Sequence, residues 1–227
     1  MASGFTILLL ATVAILPEVK SMDWKVPVAP GEVPFIAVIE PRFGVPNIGA
    51  LITPNTILGP HRHLYSTKNE FCDVKLGCTS LEDCAIEVIR TYVFYADTIH
   101  SLMKIKLPGE IVSSDLISPI AISPSIDYSY PICTYVGLDE TSGVIYTTPV
   151  AIFDPQSCRD RIVTKNVPRG QACFDDITST TSHPGTTVGG SIVCNKALVG
   201  MMTIRRPLGS KPGPHLMCDL TNLNKRP

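Results

Sequence analysis

The sequence has little aromatic content and almost no charge imbalance: one tryptophan, 7% aromatic residues and a formal net charge of -1 over 227 residues. Near neutrality, with no basic stripe or arm, argues against nucleic acid as a partner. No CxxC pair is matched by a second such pair or by a histidine pair, which sets aside the common zinc modules, and no cofactor is expected. No asparagine opens an N-x-S/T acceptor, so N-glycosylation is not expected. Long apolar runs are scarce as well. The one near the start, Phe5–Leu16 (FTILLLATVAIL), is about twelve residues, short of the ~20 that cross a bilayer. Followed by Pro17 and the polar EVKSMDWK, it reads as a secretory signal peptide over residues 1–21, although its first residues lack Lys and Arg. Residues 22–227 are then one secreted, extracellular domain without a membrane span.

What the chain does have is eight cysteines and 20 prolines. In an exported protein, eight cysteines point to an oxidising compartment and as many as four disulfides. Roughly 205 mature residues suffice for one β-rich domain or for two half-barrels sharing an interface. Helical periodicity is sparse, and short β-branched runs alternate with Pro, Gly, Ser and Asn. The pattern predicts strands over Val33–Ile39, Gly49–Leu58, Ala85–Ala96, Ser101–Leu107, Ile132–Gly137, Gly143–Phe153, Arg161–Val167, Gly190–Asn195 and Ala197–Ile204, with one short helix around Cys158 (SCRDRIVTK). So many prolines fit closed antiparallel barrels with looped corners better than a parallel α/β sheet. No repeat or linker stands out, and Ser123–Pro131 (SPSIDYSYP) is the expected crossover between two halves.

Several stretches, in order, resemble the chymotrypsin-like (trypsin-fold) serine proteases. GEVPFIAVI (Gly31–Ile39) resembles the family's first strand, GALITPNTIL (Gly49–Leu58) the strand before the catalytic histidine, and HSLMKIKL (His100–Leu107) the strand bearing the catalytic aspartate. ISPIAI (Ile117–Ile122) is similar to the segment after it, PICTYVGLD (Pro131–Asp139) to the start of the second barrel, and GGSIVCNKALVG (Gly189–Gly200) to the strand pair after the nucleophile. The resemblance implies two antiparallel six-stranded β-barrels, about 33–122 and 131–220, with a final helix shortened or absent. It also implies bridges Cys133–Cys194 and Cys158–Cys173, closing loops of about 60 and 15 residues that typically contribute ~2–4 kcal/mol each. Two family bridges are missing, one with Asn47 and His63 at its ends and one with Pro184. Cys72, Cys78, Cys84 and Cys218 allow three pairings that the sequence does not choose among, and the cluster CDVKLGCTSLEDC suggests a stapled loop on the first barrel.

Serine-protease chemistry needs a hydroxyl nucleophile, an imidazole base, an orienting carboxylate and N–H donors for the oxyanion. By the resemblance, the nucleophile falls on Val188, which has no hydroxyl. The base falls on Arg62, which stays protonated and accepts no proton, and the carboxylate falls on Ser101. The oxyanion glycine falls on Thr186 and the carboxylate that receives a new N-terminus falls on Thr187. Where the family has its activated start the chain reads WKVPVAPGE. The pocket base falls on Ser182, and the tryptophan and glycine lining the pocket are replaced by Ile204 and Arg205, so Arg205 fills the pocket or caps its mouth.

The same residues allow other uses. His61 and His63 flank Arg62, and with Asp97 and Ser182 they would outline a relocated hydrolase site. Ser191 lies on the wrong side of the glycine pair to replace the nucleophile, and surface or capping roles suit the histidines better. A metal at HRH needs a further converging ligand that spacing does not supply. Arg205 and Arg206 fit a solvated rim, or an acidic partner's contact. A closed pocket would alternatively make the chain a small-ligand carrier. The expectation is an inactive secreted serine protease homologue of insect type, a partner of other secreted proteins (protease, inhibitor or receptor) in haemolymph or reproductive fluid, presenting loops such as Cys72–Cys84.

Overall fold

Burial alternates along Phe71–Cys78 and most of Ile145–Phe153 and is continuous along most of Ile36–Pro41, Asn47–Thr53, Thr56–Pro60 and Ala197–Met201, where both faces are covered, and the strands form two sheets that close on themselves. The computed structural model describes residues 25–42, 45–61, 71–97, 101–129, 132–161, 167, 170–177, 188–203 and 214–221, with the backbone alone for 87–88, 92–97 and 176. The chain enters through β1 (Val26–Pro27). Six strands then form the first barrel: β2 (Ile36–Pro41), β3 (Asn47–Thr53), β4 (Thr56–Pro60), β5 (Phe71–Cys78), β6 (Cys84–Asp97) and β7 (Leu102–Lys106). They are ordered β2-β3-β4-β7-β6-β5 around a closed ring, so no long edge is left to template aggregation.

The second sheet is built from β8 (Ile132–Leu138), β9 (Ile145–Phe153), β10 (Gln171–Asp176), β11 (Ser191–Cys194), β12 (Ala197–Met201) and β13 (His215–Asp219). A pairing of β9 with β8 closes it, and β1 is added outside along β9. Among the described residues one α-helix, α1 (Pro155–Arg161), lies between β9 and β10. Its start follows from capping. Asp154 Oδ1 accepts the N–H groups of Gln156 at 2.9 Å and Ser157 at 3.1 Å, and Pro155 occupies the first position, where a missing N–H is harmless.

Four apolar clusters fill the structure, the smallest of them Cys158 with Cys173. Ile39, Leu51, Ile57, Val74 and Met103 pack inside the first barrel, and Tyr135, Tyr146, Phe174, Ile192 and Met217 inside the second. Between the barrels lie Ile36, Val38, Ile48, Leu58, Leu102, Val136, Leu138 and Met201. Strand β2 is buried on both faces, which explains why IAVI is an unbroken apolar run rather than an alternation.

The sequence expectations need several corrections. Gly49–Leu58 is two strands, because Pro54 and Asn55 turn the chain between β3 and β4. The cysteine cluster does staple the first barrel, Cys78–Cys84 closing the tip 79–83, but the residues on either side are the strands β5 and β6 of a hairpin rather than loop. Arg161 ends α1 instead of opening a strand, and 162–166 lie outside the described residues. Strands β1, β10 and β13 were not expected. Of the four disulfides allowed for, three form, Cys78–Cys84 together with the implied Cys133–Cys194 and Cys158–Cys173, while Cys72 and Cys218 are buried outside them. The leader segment, residues 204–213 after β12 and the C-terminal stretch 222–227 lie outside the described residues.

Candidate functional site

Three short pieces of chain meet at the seam between the barrels. Strand β4 runs antiparallel to β7 with Pro60 opposite Leu102, and one step further the His61 N–H donates to the Ser101 carbonyl at 2.8 Å. Ser101 holds a φ of 54°, a left-handed conformation that a non-glycine residue adopts at about 1–2 kcal/mol. That bond to His61 helps hold it. Asp97 ends β6 opposite Leu102, so its Cα lies two strand spacings from Pro60, about 10 Å.

The third piece is the turn ahead of β11. Val188 is only 4% exposed, a hydrocarbon packed into the seam with no lone pair to offer a substrate. Gly189 follows with a φ of +95°, and a Cβ there would lie 1.8 Å from the Ile48 carbonyl oxygen and 3.1 Å from Pro60 Cδ. A Cβ on Gly190 would fall 2.2 Å from the Tyr135 hydroxyl oxygen. The turn is fastened by Gly189 N–H to Met202 O at 2.7 Å and Met202 N–H to Gly190 O at 2.8 Å. Both glycines are therefore required by the approach of backbone to backbone across the seam and by the tyrosine beneath, whatever chemistry the preceding residue performs. The turn's contact with Pro60 brings Val188, His61 and Ser101 to one place.

Other expected residues are disposed as follows. Ser191 is fully buried on β11 opposite Val136 and Met201, and its Oγ has no hydrogen-bond partner, so it cannot reach a substrate. Asn47 is buried, and its Nδ2 donates to the Val45 carbonyl at 2.9 Å; it has its own local role at a position where the resemblance places a cysteine. Arg62, His63, Ser182, Pro184, Thr186, Thr187, Ile204, Arg205 and Arg206 lie outside the described residues. Among the described residues, no group of three or more His, Cys, Asp or Glu side chains is placed to hold a metal.

Sequence reasoning missed Tyr135 as the residue that selects glycine at 190. Its signal was present in ICTYVGL, where inward positions alternate and the large side chain falls opposite Ile192. It also missed a cleft of about 620 Å³ on the first barrel, lined by Glu40, Pro41, Arg42, Phe71, Asp73 and Arg90. Arg90 grips Asp73 there through Nε at 2.9 Å and Nη2 at 3.1 Å. That bond, ahead of the opposing effect of burial, holds the Asp73 carboxyl below its ordinary range. The cleft is charged and open, and it is separate from the pocket expected at Ser182, Ile204 and Arg205, which lies outside the described residues.

With this geometry in view, solved structures supply the comparison. The chain is similar to neuropsin, a serine protease expressed in the limbic system of mouse brain, at 18% identity over 88% of this chain and 96% of that one, with a TM-score of 0.69. It is similar to the scabies mite inactivated protease paralogue S-D1 at 16% identity over 87% and 92% of the two chains, with a TM-score of 0.72. No protein-family model and no curated protein matches the chain. The double barrel, its short helix and its three disulfides are the trypsin-like serine protease fold.

Proposed function

We propose that the chain is a catalytically inactive serine protease homologue that binds or regulates other secreted proteins, whether a protease, an inhibitor or a receptor. The observation that carries this reading is Val188, buried and apolar immediately ahead of a glycine turn held for packing reasons. Ser101 at the start of β7 and Arg62 in the sequence agree with it, since neither can orient or accept the proton of a nucleophile. Similarity to an inactivated mite paralogue is consistent with a scaffold that persists without the reaction. Fold alone names no partner. Export belongs to the same reading, because three disulfides and this fold are typical of secreted proteins.

The test is to restore the hydroxyl. Val188→Ser alone should give no peptidase turnover, because the new serine has no base to take its proton. Measurable turnover in that variant would overturn the placement of the three positions.

A further inference from the structure

The turn between β8 and β9, residues 139–144, and the first residue of β9, Ile145, are gripped from two directions. From the N-terminal side, Lys25 Nζ donates to Asp139 Oδ2 at 3.0 Å and sits 5.1 Å over the Tyr146 ring, while the Val28 N–H donates to the Ile145 carbonyl at 3.1 Å. From the first barrel, the Leu81 N–H donates to Gly143 O at 2.9 Å and the Ile145 N–H donates to Thr79 O at 2.9 Å. These two bonds flank an antiparallel bridge of Ser80 with Val144. One residue, Ile145, thus accepts from the N-terminal strap and donates to the first barrel.

The first-barrel half of that grip is the tip of the β5–β6 hairpin, closed by Cys78–Cys84. Cys78 is 4% exposed within the apolar layer between the barrels, and Leu81 and Cys84 pack against the same layer. Leu81 lies over Gly143, whose φ of +71° shapes the receiving turn. Inside the tip, Thr79 N–H donates to Asp83 O at 3.0 Å, so the disulfide closes a loop whose edge is presented to the other barrel.

We propose that this disulfide is a redox-controlled latch on the seam between the barrels. A small dithiol attacks the half-buried Cys84 sulfur and passes two electrons to the bridge. The S–S bond breaks, two cysteine thiols form with protons from the dithiol, and the dithiol leaves as its cyclic disulfide. The freed tip then releases the turn 139–144, and through Ile145 it loosens the N-terminal strap as well. The latch rests on these contacts alone and is independent of whether the chain binds a partner.

Amide hydrogen exchange on the full oxidised chain tests it, before and after treatment with dithiothreitol at a dose where peptide mapping shows Cys133–Cys194 and Cys158–Cys173 intact. Leu81 and Ile145 should exchange at least about tenfold faster once the bridge opens, with Val74 and Ile192 inside the barrels unchanged. A Cys78→Ser/Cys84→Ser variant should show the same pattern without reductant, and if it does not fold, the selectively reduced protein gives the reading. Unchanged exchange at Leu81 and Ile145 overturns the latch. Uniform acceleration that includes Val74 and Ile192 overturns it too, because the bridge would then support the whole fold rather than the seam.

Discussion

Replacing Gly189 with alanine isolates what the glycine turn is for. The new Cβ would stand 1.8 Å from the Ile48 carbonyl oxygen, so the turn must move away from the first barrel. Moving it sacrifices the bonds from Gly189 N–H to Met202 O and from Met202 N–H to Gly190 O, worth about 1 kcal/mol each. Holding alanine at a φ of +95° adds about 1–2 kcal/mol. The sum, about 3–4 kcal/mol, is a large share of the ~5–15 kcal/mol that keeps a domain folded. At about 2–4 °C per kcal/mol for a chain of this size, Gly189→Ala should lower the Tm by about 10 °C. The assay is thermal unfolding of the oxidised protein followed by circular dichroism. Gly109→Ala is the control, since a Cβ there meets nothing within 4 Å, and it should change stability by less than about 0.5 kcal/mol. A Gly189→Ala protein that melts within two degrees or so of the parent would refute the idea that close approach keeps this glycine.

Further expectations concern charge, burial and cross-links. Lys25's hydrogen bond, ahead of the opposing effect of burial, holds the Asp139 carboxyl below its ordinary value, so the stability it confers is present above about pH 4 and lost as pH falls through the depressed value. Lys25→Met should flatten that part of an acid-unfolding curve, and an unchanged curve would contradict the assignment. Asp154→Ala removes the cap of α1 and should cost about 1 kcal/mol by urea unfolding; no loss would mean the helix start is held otherwise. Ser191→Ala removes a buried hydroxyl without a partner, so it should be neutral or stabilising by up to about 1 kcal/mol, and clear destabilisation would reveal a partner for that hydroxyl. Non-reducing peptide mapping should recover Cys78–Cys84, Cys133–Cys194 and Cys158–Cys173; any other pairing of these six contradicts the fold.

Much of the double barrel was legible because apolar and β-branched stretches such as β8 and β9, and the short apolar runs of the β11–β12 hairpin, declare themselves locally. Strands β3 and β4 merged in the sequence since only Pro54 and Asn55 interrupt one apolar stretch. Strand β5 alternates in burial along its whole length, yet its cysteines drew attention to staples instead of period. QACFDD and HLMCD hold no β-branched residue, and they become β10 and β13 by pairing with each other and with β9 and β12 on either side, a tertiary effect that local propensity does not contain. At the candidate site, the order of residues gave Val188 its meaning through resemblance. The physical reason for the glycine pair, the Ile48 carbonyl and the Tyr135 ring, lies about 140 and 55 residues away in sequence and required the fold.

The most direct test of the central claim is fluorophosphonate labelling of the oxidised, full-length protein, with an active trypsin-like protease as positive control and affinity capture from the native fluid run on the same sample. An unlabelled chain that captures a secreted protease, inhibitor or receptor is the expected result. A chain that is itself labelled contradicts it, and mapping the labelled serine would then locate a reaction centre that Val188, Ser101 and Arg62 do not provide.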